Sequence, residues 1–363
     1  MRRILPLIAA VIVVATAFVA WTFSHLEGFH DAAWSLAPLA LTLGFLPTTL
    51  RSRIRRGRWL RAANVASGIA LGFLTFFIMA ALASWAAIGA SRALGRPVGA
   101  PATAAVLFGA AALVGLYALA SAYWVRVTKV TVRLPHLPEH WNGRMIALVT
   151  DVHLGNFRGA AFSRRVVSKL NNIGAECVLI GGDLFDGVKI DVPAALKPWA
   201  DLKAPAGVYF VGGNHDDYGG RTLYFGALLR LGIRVLDNER VVLGGLQLVG
   251  IHDRESNEPA TYKDALRRAA INPNMASILL VHRPSLLGIA AEGGVSLQLS
   301  GHTHMGQFWP WTHIARRVHG KFAYGLNRFG RMLVYTSSGA GTWGPPFRLG
   351  SRSEVVQLRL EAA

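Results

Sequence analysis

LSGHTHMGQF (residues 299–308) is the stretch that decides the fold. It sets two imidazoles one residue apart, directly after an apolar run, with glycines on both sides. A strand that merely turned would do so on Gly, Asn or Asp, and nothing local calls for two histidines. Their reason lies at the ends of other strands. Short apolar runs recur from about residue 134 onward: MIALVT (145–150), CVLIGG (177–182), VYFVGG (208–213), LQLVGI (246–251), ILLV (278–281), SLQLS (296–300) and MLVYTS (332–337). Between them lie amphipathic segments at 159–172, 192–203, 220–231 and 261–270 that read as helices. Alternation of this kind predicts an α/β domain.

Five of the seven runs stop at a group that can bind a cation. They lead to Asp151 and His153, to Asp183 and Asp186, to Asn214, His215 and Asp216, to His282, and to His302 and His304. Open α/β sheets form their ligand sites outside the carboxyl ends of strands. The donors are hard oxygens and borderline nitrogens with no thiolate, which suits Mn, Fe or Zn better than a cysteine-bound structural zinc. They are too many for one ion, and pairs of ions roughly 3.5–4 Å apart hydrolyse phosphoesters. Gly181, Gly182, Gly212, Gly213 and Gly301 leave room for the backbone to turn beneath such ions.

In this order the motifs resemble the calcineurin-like metallophosphoesterase superfamily: Asp-x-His (151–153), Gly-Asp-x-x-Asp (182–186), Gly-Asn-His-Asp (213–216), a lone His282 and Gly-His-x-His (301–304). The resemblance covers roughly residues 140–340. It implies a four-layer α/β sandwich, two mixed β-sheets face to face with helices outside. It implies that Asp151, His153 and His304 hold one divalent ion, that Asn214, His282 and His302 hold a second, and that Asp183 bridges them. Manganese is the first expectation, with iron or zinc as alternatives. His215 is implied to lie above the ions without binding them and to assist the leaving group, with Asp186 orienting its ring. A hydroxide bridging the ions would attack phosphorus in line. The ending GHTHMGQ, together with the apolar N-terminal third, is similar to the membrane-associated branch that includes enzymes like the UDP-2,3-diacylglucosamine pyrophosphatases, which act on lipid A precursors. That branch usually has Gly-His-Thr-His-Gly-Gly-Gln, and Met305 replaces the first glycine of its last three residues here.

The chain is 52% hydrophobic and only 16% charged, low for a wholly soluble protein. Residues 1–124 contain four apolar stretches, 4–23, 33–50, 65–88 and 102–124, each near the roughly 20 residues that span a bilayer. They are read as a four-helix transmembrane region (1–124), followed by a linker (125–139) and the phosphoesterase domain (140–363). None carries an ionised residue in its middle, which argues against a transport pathway. Arg2, Arg3 and the six arginines of RSRIRRGRWLR (51–61) face two, Arg92 and Arg96, in the loop around 89–101, while the loop at 24–32 has none. The excess places the N-terminus and, after four crossings, the catalytic domain in the cytoplasm.

The net charge is +18. Much of it is arginine beside the spans, which fits an anionic bilayer and argues against nucleic acid as partner. Cys177, the single cysteine, allows no internal disulfide and reads as a small core residue. His252 and Asp253 end a strand outside the ligand pattern and read as loop or substrate contact. FWPWTHIARR (308–317) mixes aromatics with arginines, as membrane interfaces do. The function expected is a membrane-bound, two-metal hydrolase of a phosphodiester or pyrophosphate, with a lipid-linked substrate as the finer reading. The alternatives are a membrane-tethered general or cyclic-nucleotide phosphodiesterase and a non-catalytic sensor.

Overall fold

A computed structural model describes residues 4–27 and 33–363. They divide into two compact units. One is the N-terminal helices to Ala120 with Gly344–Phe347, and the other is Ser121–Trp343 with Arg348–Ala363.

The first unit is helical: α1 (Ile4–Glu27), α2 (Ala33–Leu43), α3 (Phe45–Ser52), α4 (Arg58–Ala93) and α5 (Ala100–Ser121). Among the described residues three helices, α1, α4 and α5, are long and apolar enough to cross a membrane. The expected count of four is therefore corrected. Residues 33–50 do not make one long helix, because Pro47 has no N–H for the carbonyl of Leu43 and the helix breaks at Gly44. Small residues bring the helices close, with Ala81 and Ala104 fully buried and Gly115 against the Phe73 ring. The indole of Trp85 on α4 donates to the Thr22 hydroxyl on α1 at 3.0 Å. Arg2, Arg3 and residues 28–32, used above for orientation, lie outside the described residues.

The second unit carries all the strands, β1 (Arg126–Leu134), β2 (Met145–Val149), β3 (Cys177–Gly181), β4 (Val208–Val211), β5 (Arg234–Val235), β6 (Glu239–Leu243), β7 (Leu246–Ile251), β8 (Ser277–Val281), β9 (Leu297–Ser300), β10 (Gly325–Phe329), β11 (Met332–Thr336) and β12 (Glu354–Ala362). They form two mixed six-stranded sheets, ordered β1-β12-β2-β3-β4-β5 and β10-β11-β9-β8-β7-β6. The helices are α6 (Ala160–Asn171), α7 (Val192–Leu196), α8 (Asn214–Tyr218), α9 (Arg221–Arg230), α10 (Asp253–Ser256), α11 (Pro259–Ala269), α12 (Leu287–Glu292) and α13 (Trp311–His319).

Side-chain alternation builds the layers. Ile146 and Leu148 of β2, Leu179 of β3, and Ile278 and Leu280 of β8 meet in the core between the sheets. Their neighbours Ala147, Val149, Val178 and Ile180 point the other way, onto α6, α7 and α9. Leu279 and Val281 do the same beneath α11 and α12. Strands buried on both faces read as unbroken apolar runs, which is why β2, β3 and β8 are plain in the sequence. Cys177 is a core residue between the sheets, and burial pushes its thiol up to about 12.

The span read as a linker, 125–139, is instead mostly the edge strand β1, paired in parallel with β12 from Arg126↔Glu354 to Leu134↔Ala362. Val132 and Leu134 enter the core while Arg133 faces out. β12 is held at its start by the buried Glu354 carboxylate. This accepts from the hydroxyls of Thr128, Tyr324, Tyr335 and Ser337 and from the backbone N–H of Ser338.

Candidate metal centre

The carboxyl ends of β2, β3, β4, β8 and β9 meet on one side of the two sheets, where Asp151, His153, Asp183, Asp186, His215, His282, His302 and His304 come together. Two groups of three that share no residue could each hold a metal ion, Asp151 with His153 and His304, and Asp183 with His282 and His302, and a further group, His153 with Asp186 and His215, shares His153 with the first. His153 Nε2 and His304 Nε2 are 3.1 Å apart, and His304 Nε2 is 3.4 Å from Asp151 Oδ1. In the second group His282 Nε2 is 3.1 Å from Asp183 Oδ2. Asp183 Oδ2 is also 3.8 Å from His153 Nε2, so it faces both groups.

Local backbone geometry aims these donors. Among the described residues eleven non-glycines have positive φ, and seven of them are Asp151, His153, Asp183, His302, His304, Met305 and Gln307. Left-handed backbone costs an ordinary residue roughly 1–2 kcal/mol, and such strain concentrates at functional sites. Two glycines make space for carboxylates. A Cβ on Gly301 would collide with Asp151 Oδ2, and one on Gly213 with Asp183 Oδ1.

Hydrogen bonds fix the rings. His282 Nδ1 lies 2.9 Å from the carbonyl of Gly181, which leaves Nε2 facing the site. Asp186 Oδ1 lies 3.2 Å from His153 Nδ1 and 3.5 Å from His215 Nδ1. Asp186 thus serves His153 at least as closely as His215, the only partner read for it in the sequence. The backbone N–H of His215 donates to Asp183 Oδ1 at 2.8 Å, and that of His302 lies 3.1 Å from both oxygens of Asp151.

The electrostatics ask for positive charge. Burial works against a charged His282, but the Asp183 and Asp151 carboxylates reverse this and push it up to about 10. Burial would raise Asp183, yet His282, His153 and His215 hold it well below the usual carboxylate range. Burial and the charge of His282 hold His302 down at about 2. Burial and His153 hold His304 well below its ordinary value. These two stay neutral, with lone pairs free for ligation. His282 Nε2 and Asn214 Oδ1 are buried atoms without a well-formed hydrogen bond, and buried polar atoms of that kind call for a partner. Together with the thiolate-free donor set, they fit divalent cations.

Two further buried residues support the donors from behind. Asp216, fully buried, accepts from the backbone N–H groups of Asp183 (2.8 Å), Gly213 (2.8 Å) and Phe185 (2.9 Å), tying the β3 and β4 loops together. Arg348, also fully buried, gives Nη1 to the carbonyl of His304 at 2.8 Å and Nη2 to those of Ser338 and Gly341 at 2.6 Å each. Both act on main-chain atoms: Asp216 on Gly213 within its own motif and on Asp183 and Phe185 across from it, Arg348 on segments far along the chain that no local motif announces. His252, by contrast, is buried and caps α10 by accepting from the N–H of Arg254, while Asp253 pairs with Arg283 at 2.7 Å. His252 thus sits in the connection from β7 to α10, and both side chains have partners within the domain.

The family model of calcineurin-like phosphoesterases matches residues 145–306, so that stretch of the chain carries a calcineurin-like phosphoesterase domain. An uncharacterized metallophosphoesterase of Helicobacter pylori is 36% identical over 222 residues, 59% of each chain. A Bos taurus transmembrane protein with metallophosphoesterase domain is 33% identical over 281 residues, 72% of this chain and 63% of that one. The chain spans about three fifths of the length of these curated relatives. A dimetal phosphatase from Danio rerio matches at a TM-score of 0.36 and 11% identity, over 60% of this chain and 99% of that one, a likeness too slight to carry an argument.

Proposed function

We propose that the chain is a membrane-bound hydrolase of phosphoesters that uses two divalent ions, manganese first among them. Its substrate is a phosphodiester or pyrophosphate, and the finer proposal is a lipid-linked one. The observation that carries the reading is Asp183 facing both three-residue groups, with His215 beside it. Asp151, His153 and His304 would hold one ion and Asn214, His282 and His302 the other, with Asp183 shared. When bound, the ions would neutralise phosphate oxygens and make water acidic enough to attack near neutral pH. Burial, with the nearby His153, lowers His215 from its ordinary value. An imidazole so placed readily passes a proton to the leaving oxygen. Asp186 holds the rings of His153 and His215 in register.

The chain is proposed to cross the membrane more than once, with the catalytic domain in the cytoplasm. Six arginines precede or begin α4, and Arg92 and Arg96 lie where α4 leads to α5. Starting from the arginine-rich side, α4 and α5 cross twice and return. This holds whether or not residues 33–52 cross.

Hydrolysis of a chromogenic phosphodiester by the detergent-purified chain tests the reading, with EDTA, with Mn²⁺, and in His215→Ala and Asp183→Asn. The expected outcome is Mn²⁺-dependent turnover that falls about 10²–10⁴-fold in His215→Ala and vanishes with bound metal in Asp183→Asn. A protein that binds no metal refutes it. Competition between lipid pyrophosphates and soluble diesters tests the finer proposal.

A further inference from the structure

α13 is amphipathic the wrong way round for a surface helix. Its buried residue is Thr312, whereas Trp311, Ile314 and Val318 are 47%, 52% and 69% exposed, and the preceding Trp309 is 40% exposed. Positions 311, 314 and 318 share one face of a helix, so the apolar stripe points away from the domain. A surface helix normally buries that stripe.

The charge around it has one sign. No acidic residue lies between Glu292 and Glu354, while Arg316, Arg317, Lys321, Arg328 and Arg331 fall in that interval. All five are exposed. The partner that fits an outward stripe of tryptophan and aliphatic side chains, in a stretch of chain whose only charges are arginine and lysine, is an anionic lipid surface. A lipid surface is at hand, because the same chain carries three helices long and apolar enough to cross a bilayer.

We infer that α13 docks in the headgroup region of an anionic membrane, with Trp309, Trp311, Ile314 and Val318 immersed and Arg316 and Arg317 against lipid phosphates. The helix follows the His304 turn directly, and Gly306 of that turn lies so close to the carbonyl of Trp311 that a Cβ there would collide with it. Docking therefore sets the turn carrying a proposed metal ligand beside the lipid surface.

The full chain in lipid nanodiscs tests this without any turnover, so a failure of the hydrolase reading and a failure of this one are distinguishable. Ile314→Cys or Val318→Cys carries an environment-sensitive fluorophore, with Lys263→Cys, exposed on α11, as the control. Cys177 is buried and its thiol is pushed up to about 12, so it stays unlabelled. Acrylamide reports exposure to water, and nitroxide lipids report contact with the bilayer. The expected result in phosphatidylglycerol discs is shielding from acrylamide and quenching by shallow nitroxide lipids at 314 and 318 but not at 263. Substituting Arg316→Glu and Arg317→Glu together should lower the docked-to-free ratio by about tenfold or more. Acrylamide access at 314 and 318 equal to that at 263 overturns the inference. Shielding without nitroxide quenching also overturns it, and gives the face to a protein contact such as a second copy of the chain.

Discussion

Replacing Asp216 with alanine removes the one acceptor shared by three buried backbone donors, the N–H groups of Asp183, Gly213 and Phe185. Each buried donor left unmade costs about 1–3 kcal/mol, so the loss is at least about 3 kcal/mol, against a total stability of about 5–15 kcal/mol for a domain. At about 2–4 °C per kcal/mol for a domain of this size, the unfolding midpoint falls by some 6–12 °C even at the low end. Asp216→Asn keeps an oxygen for the two donors on Oδ2 and sets an amide against the N–H of Phe185, so its cost is about a third as large. Thermal unfolding of the detergent-purified chain followed by tryptophan emission, with Mn²⁺ bound per chain measured in parallel, reads both effects. The damage begins at the loops that carry Asp183 and Asn214, so Mn²⁺ stoichiometry falls in Asp216→Ala before the fold is lost. An alanine variant that melts within 2 °C of the parent would refute the claim that Asp216 ties the loops.

Other outcomes follow from the same geometry. His282 is raised from 6.5 to about 10 in the folded chain. Its contribution is complete below pH 6.5 and is lost as pH rises through about 10. EDTA-treated protein should therefore lose stability from pH 7 to 10 relative to His282→Asn, and Mn²⁺ affinity should rise over the same range as the ion displaces that proton. A flat difference in the first or falling affinity in the second would contradict the pairing with Asp183. Gly213→Ala drives a Cβ into Asp183 Oδ1 and should abolish metal binding, with Gly288→Ala, which meets nothing within 4 Å, as the silent control. Met305 has φ of 52° and is buried. Met305→Gly relieves about 1–2 kcal/mol of left-handed strain but empties a core position that costs about 2–5 kcal/mol, so its midpoint should fall while metal binding is kept. A rise would mean that strain outweighs packing there.

The sequence announced those parts of the molecule whose cause is local. β2, β3 and β8 are buried on both faces and stand out as apolar runs, and each stops at a residue that faces the site. β1 was legible in principle, since Val130, Val132 and Leu134 alternate with Lys129, Thr131 and Arg133. Its position just after the last apolar stretch made it read as a connector. The break at Gly44 was also written in Pro47, but mean hydropathy over 33–50 does not register a missing N–H. Arg348 and Glu354 could not be read at all. Their partners include main-chain atoms and hydroxyls brought from far along the chain, and a motif records only neighbours.

The place of β12 has a consequence for how the protein is made. β12 lies between β1 and β2, so β1 has no strand partner until residues 354–362 exist. During synthesis the apolar helices emerge first and β1 next. All the histidines and carboxylates of the site, 151 to 304, follow before that sheet can close. A nascent chain thus holds two open strand edges, the kind that pair promiscuously with other chains, while its metal-binding groups are already exposed. Chains stopped short of residue 354 should be cleared or aggregate rather than act as partial enzymes. The order of synthesis also places secure metal loading after the sheet has closed.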